Sequence, residues 1–318
     1  MNLNWIYEGG FLRSKKEDPC EDCIQHVRKS ILELHETDQN MSKSSVHFGI
    51  AAMFMRNGIA HRKYLDLLEE IDFDYSLLLF HRSWESLKFS LDLYRYILSK
   101  PNGAEIISHR NGNVFITDVY DCKGKKELTN FIDLLISNKV NLNVISKNEE
   151  NIETILTSII CSQYDNIELG NVEFTKHLLK KVLCQLDISE EYSIQSVMSL
   201  MDFQTICIYE THITIIDTIF IICLVTPNIV DVLIDVGIDI NPKHVLNMIL
   251  DEGEDENIVY VIKKILWKYP NIFDYFESKV TKDDFSYKYI CRFKSLFQKE
   301  IQELKSVNEC SNLLRLFL

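Results

Sequence analysis

Apolar and polar positions along this chain follow two periods that change over within a few residues. Over Asn228–Val236, NIVDVLIDV, apolar residues recur at the three- and four-residue spacing of an amphipathic helix. Gly237 interrupts, and in Ile238–Asn241, IDIN, apolar and polar residues alternate. Pro242 then opens a second helical pattern, PKHVLNMIL. The pattern predicts a helix stopped by a left-handed Gly237, a short extended segment, and a new helix capped by Asn241 with Pro242 at its first position. Ile238 and Ile240 are expected to point into a seam, with Asp239 or Asn241 exposed.

The same sequence of signals returns elsewhere. FIDLLISNKVNLN at 131–143 matches IVDVLIDVGIDIN at 229–241 in character, with Asn141 and Asn143 opposite Asp239 and Asn241. YLDLLEEIDFD at 64–74 reads as a third copy, with Asp72 set opposite Asn141. Segments 90–106 and 258–273 fall near positions that a unit of about 33 residues predicts. Between 143 and 229 the spacing slips, which implies insertions within Ile160–Asn171 and within 189–228. Each helical segment is apolar on more than one face, so one unit cannot bury its own surface, whereas stacked units can. Upstream, Ile24, Val27, Ile31 and Leu34 form an apolar stripe, which predicts an amphipathic helix over 23–36 acting as an N-terminal cap.

Composition narrows the partners. A formal net charge of −13 repels phosphate backbones and argues against nucleic acid. The most apolar window, Ile213–Val225, is too short to span a bilayer and carries Asp217, so a buried helix is expected and no membrane association. MNLNWIYEGGFLRSKKEDP lacks the apolar run of a secretory signal. Nine scattered cysteines fit a reducing compartment. Trp5, Trp84 and Trp267 read as anchors of the core or the caps.

A unit whose helix ends in x-Gly-hydrophobic-[Asp/Asn]-hydrophobic-Asn resembles the ankyrin repeat. Asn111-Gly112-Asn113 stands at that family's loop tip, 114–121 at its first helix, FIDLLISNK at its second, and VNLN at its end. The abundance of Ile, Asn and Asp and the irregular insertions are similar to the divergent ankyrin proteins of poxviruses. No copy is seen to carry the family's threonine-proline-leucine-histidine start, and no Leu-Pro-x-Glu signature of an F-box-like motif stands between Tyr269 and Leu318. The resemblance implies an all-α, ankyrin-like helical repeat solenoid with helical N- and C-terminal caps. Residues 1–60 would be the N-terminal cap, 61–275 the repeats and 276–318 a C-terminal helical segment. It also implies a non-enzymatic virulence factor of the host cytoplasm, without cofactor. Its partners would be host proteins of innate immunity or the ubiquitin pathway, a ubiquitin-ligase component among them. Protein contacts are expected at Asn111, Asn113, Asn141, Asn143, Lys147, Asn148, Asp239 and Asn241. Residues 141–154 keep room for a full hairpin finger and are the first place to look.

The chemistry-bearing clusters are few. Cys20, Cys23 and His26 lie within seven residues and supply the alternative reading, a zinc-binding or redox protein. A second ligand pair at zinc-site spacing is not seen. His109, His177, His212 and His244 each read as isolated packing or surface residues. No phosphate-binding glycine loop, nucleophile elbow or His-Glu-x-x-His motif occurs, so no enzyme activity is expected. The acidic run at 251–256 lacks calcium-loop spacing and reads as a solvated loop.

Overall fold

The computed structural model describes residues 20–37, 43–56, 62–84, 90–108, 114–122, 124–147, 152–193, 212–222, 226–252 and 255–304. These residues are predominantly helical, with only short strands, so the all-α class holds. The chain divides into two compact units at Ser146/Lys147.

The first unit contains α1 (Glu21–Thr37), α2 (Lys43–Arg56), α3 (Arg62–Leu65), a 3-10 helix (Asp66–Ile71), α4 (Ser76–Trp84), α5 (Leu91–Leu98), α6 (Gly103–Ser108), α7 (Phe115–Asp121) and α8 (Lys125–Ser137). Val27 and Ile31 of the expected α1 stripe are buried, and Ile24 and Leu34 half-buried. α1 packs on α2, α3 and the 3-10 helix, and α2 packs on α4. The Arg28 guanidinium of α1 donates to Glu70 at 2.6 and 2.9 Å. The Tyr94 ring of α5 lies 4.7 Å from that of Phe131 of α8, inclined at 60°, and its hydroxyl donates to buried Asp118 of α7, tying three helices together.

In the second unit, α9 (Ile155–Ser162), α10 (Tyr164–Glu168) and α11 (Glu173–Leu183) are followed by α12 (Ile215–Ile222), α13 (Pro227–Asp235), α14 (Pro242–Glu252), α15 (Glu256–Ile265), α16 (Ile272–Lys279) and α17 (Phe285–Leu296). Their contacts run in two files. α9 touches α12, α12 touches α14, and α14 touches α16; α11 touches α13, and α13 touches α15. α9 also meets α11, α14 meets α15, α16 meets α17, and α14 reaches α17. The core between the files includes Ile159, Leu179, Ile219, Leu233, Ile249, Val261 and Phe276, all fully buried. The segment expected to be a buried helix is α12, where Ile215, Ile216, Ile219 and Phe220 are buried. Among the described residues no helix is long and apolar enough to cross a membrane.

The irregular spacing between 143 and 229 has two visible sources. α10 is an extra short helix inserted between α9 and α11, within the expected Ile160–Asn171. A longer excursion separates strand β3 (Glu191–Ser193) from its antiparallel partner β4 (His212–Thr214), with Tyr192 opposite Ile213. Within 141–154, the short strand β1 (Ser146–Lys147) pairs with β2 (Ile152–Glu153).

Helix ends repeat as well. Gly237 has φ +89°, as the sequence required, and Lys139 takes the same left-handed conformation at φ +57°. After α13, Ile238 N–H donates to Leu233 and Gly237 N–H to Ile234; after α8, Val140 donates to Leu135 and Lys139 to Ile136. Both are the paired closure in which an apolar residue beyond the stop folds back on the last turn. Ile238 and Ile240 are buried as expected. In the 64–74 copy the left-handed residue is Asp72, at φ +48° after a 3-10 helix. Asp72 therefore corresponds to Lys139, two residues from the Asn141 that sequence matching set against it.

Candidate functional site

Three of the four first-file helices, α9, α12 and α14, start alike, whereas Asn271 at the start of α16 makes no side-chain cap. Thr154 caps α9: its hydroxyl accepts from the Thr157 amide, and the Thr157 hydroxyl accepts from the Thr154 amide at 2.8 Å. Thr214 and Asp217 repeat this at α12, where the Thr214 amide donates to the Asp217 carboxylate at 2.7 Å and the Asp217 amide to the Thr214 hydroxyl. At α14, Asn241 accepts from the Lys243 amide, while its own amide donates to His244 Nδ1 at 3.4 Å. Each cap satisfies amides that a helix N-terminus leaves without partners, reciprocally at α9 and α12.

These caps also join neighbouring helices. Thr154 and Thr218, both fully buried, lie 3.1 Å apart hydroxyl to hydroxyl. His244 Nε2 is 2.8 Å from Asp217 Oδ1, and Lys243 Nζ is 3.1 Å from the same oxygen. The Asn241 amide can only donate, so Nδ1 accepts and Nε2 carries the proton given to Asp217. Phe220 stacks on the imidazole at 4.2 Å. Burial alone would raise the Asp217 carboxyl; His244, the Thr214 amide and hydroxyl, and Lys243 outweigh it and hold it far below the usual carboxylate range. With both ring nitrogens engaged, His244 clasps the start of α14 to the start of α12. Sequence reading took His244 for an isolated residue. The signal that could have found it is the recurring pair, Thr-x-x-Thr, Thr-x-x-Asp and Asn-x-x-His, at the starts of α9, α12 and α14.

The residues expected to make protein contacts have different surroundings. Asn141 is exposed; its amide donates to Ser108 Oγ and its side chain accepts from the Asn143 amide. Asn143 is half-buried. Asp239 is exposed but bound by Lys268 at 2.6 Å and the Tyr269 hydroxyl at 3.1 Å. Partial burial would raise its carboxyl, but these two partners hold it below the ordinary range. Asn241 is committed to the cap of α14. Lys147 lies in β1, and Asn111, Asn113 and Asn148 lie outside the described residues.

Ion pairs run along the second file. Lys176 of α11 binds Asp235 of α13 at 2.6 Å, and Asp231 of α13 receives Lys264 of α15 at 2.7 Å and the Tyr260 hydroxyl. An open groove of ≈ 440 Å3 lies between them, lined by these charges with Gly170, Val172 and Asn228. Large apolar side chains protrude nearby in sequence. Trp267, expected to anchor the core or a cap, is 71% exposed in the turn after α15, and Phe285 is 69% exposed at the start of α17. Trp267 follows the buried pair Ile265 and Leu266 on the opposite side of the last turn, which turns it to solvent. Trp5 lies outside the described residues.

Cys20 and Cys23 form a disulfide at the start of α1, and the Cys23 amide donates to Cys20 Sγ at 3.3 Å. His26 is exposed on the next turn. Among the described residues no group of three or more His, Cys, Asp or Glu side chains gathers as metal ligands would. Compared with protein-family models, curated proteins and solved structures, the chain matches none.

Proposed function

We propose that this chain is a non-enzymatic protein–protein interaction scaffold, a stack of divergent ankyrin-like repeats of the poxvirus type. It would act in the host cytoplasm on a host factor of innate immunity or the ubiquitin pathway. The observation that carries the reading is the two-file contact pattern of the second unit, in which first helices touch first helices and second helices touch second helices. Thr154-Ile155-Leu156-Thr157, Thr214-Ile215-Ile216-Asp217 and Asn241-Pro242-Lys243-His244 stand where that family has threonine-proline-leucine-histidine, and in each the first residue's amide donates to the fourth residue's side chain.

A stack held by neighbour contacts offers a long, preorganised surface. Exposed Trp267 and Phe285 are the kind of aromatic side chain that anchors an interface. The net charge of −13 favours a basic partner and a salt-sensitive association rate. Affinity capture from host cells with the wild-type chain and with the W267A/F285A variant tests the reading. The expected result is a host protein retained by the wild type and lost by an equally folded variant. Identical captures, or none with either chain, would contradict it.

Of the alternative, zinc or redox chemistry at Cys20, Cys23 and His26, the bonded cysteine pair favours the redox branch, since a disulfide offers a metal no thiolate. Zinc analysis and thiol titration of the purified chain decide it. Stoichiometric zinc lost in Cys23→Ser supports a metal site, and a reversible two-thiol change on dithiol treatment supports a redox one. A chain that shows neither has no such chemistry at this pair.

A further inference from the structure

One lysine of the first unit sits as a ligand sits. Lys100, on the turn after α5, has a side chain only 11% exposed. Its ammonium lies 4.0 Å from the centre of the Tyr96 ring and 5.6 Å from that of Tyr75. Two carboxylates of the 3-10 helix complete its surroundings: Asp66 at 3.6 Å, and Glu69, which accepts a hydrogen bond from it. The two rings are themselves buried, 5.9 Å apart and inclined at 62°, and Phe73 braces Tyr75 edge-on. Other cation–ring contacts described in this chain place a lysine against exposed or half-buried rings: Lys264 over Tyr260, Lys268 over Tyr269, Lys279 over Tyr275 and Lys288 over Phe285. Only at Lys100 do two buried rings and two carboxylates converge on one ammonium among the described residues.

The backbone presents Lys100 to these groups. Asn102 takes a left-handed conformation at φ +59°, and Gly103 packs so closely that a Cβ there would collide with the Ile97 carbonyl. The turn is thus fixed against the end of α5, and the side chain enters from a fixed point. Ring faces attract cations through their quadrupoles, and the attraction grows as water is removed. Two carboxylates supply the opposite charge that a half-enclosed ammonium requires. Neither feature depends on the ammonium being attached to this chain.

The geometry points to an ammonium-binding site, built from Tyr75, Tyr96, Asp66 and Glu69, that the chain fills with its own Lys100. A primary or methylated alkylammonium, including a lysine side chain from a basic partner, is the ligand class that fits once Lys100 is withdrawn.

Replacing Lys100 by Ala removes the atoms of n-propylammonium, so that ion is the direct probe. K100A is expected to lower the thermal midpoint of the full chain by ~3–6 °C. Millimolar n-propylammonium should recover most of that loss, tetramethylammonium should recover part of it, and neutral 1-propanol should recover none. The wild type should not respond, and K100A/E69Q should be recovered less than K100A. Equal effects of n-propylammonium and 1-propanol, or equal responses of wild type and K100A, would overturn the assignment. If K100A does not fold, acylation of the wild-type lysines gives the second reading. Lys100 should react far more slowly than exposed Lys282, and E69Q should accelerate Lys100 alone; an unchanged Lys100 rate in E69Q would equally overturn it.

Discussion

His244 donates from Nε2 to Asp217 Oδ1 across 2.8 Å, joining the first turn of α14 to the first turn of α12 while both residues remain buried. Removing His244 takes away the buried partner of Asp217 and leaves it only Lys243 and Thr214. His244→Ala should therefore destabilise the chain by about 3 kcal/mol in urea unfolding. Asp217→Asn keeps the shape and should cost less.

The same pair sets a pH response. The Asp217 carboxyl is held far below its ordinary range in the folded chain. Its folded value is depressed, so its stabilising contribution is complete above the unfolded carboxyl value of about 4 and is lost as pH falls below it. Stability measured from pH 6 down to pH 3 should fall at the acid end, and Asp217→Asn should flatten that fall.

The cap of α9 makes a separate prediction. Thr154 engages the Thr157 amide and lies against Thr218. Thr154→Ala should cost about 1–2 kcal/mol by denaturant unfolding, and Thr154→Ser should recover most of it.

Two glycines should differ in cost for different reasons. Gly237 has a positive φ, and a methyl group on its Cα would meet open space, so Gly237→Ala incurs only the left-handed backbone penalty of about 1–2 kcal/mol. Gly103→Ala meets the Ile97 carbonyl and Leu98 Cα and must displace the end of α5. It should lower the melting midpoint well beyond Gly237→Ala.

Much of the second unit was legible because its signals are local. The glycine stop at 237, the buried alternation of Ile238 and Ile240, and the cap at Asn241 each depend on a few adjacent residues whose physics allows little else. The slip in spacing at 160–171 falls where the short helix α10 stands. The candidate contacts were less legible. Asp239 looked free because its partners, Lys268 and Tyr269, lie on the next helix pair. His244 looked isolated for the same reason, with Asp217 one pair earlier. Residue type makes Trp267 an anchor of the core or a cap, although the turn it sits on decides its exposure. Partners that meet only across separate helices leave no spacing rule in the sequence.

The proposed linear stack has a direct physical test, because its helix pairs depend on neighbours and not on one shared centre. Phe276, fully buried in α16, provides the perturbation. Backbone hydrogen exchange of Phe276→Ala against the wild type should show protection lost most in α16 and α17, less in α14 and α15, and least in α9 and α11. A uniform loss across all helices of the second unit would contradict the stack.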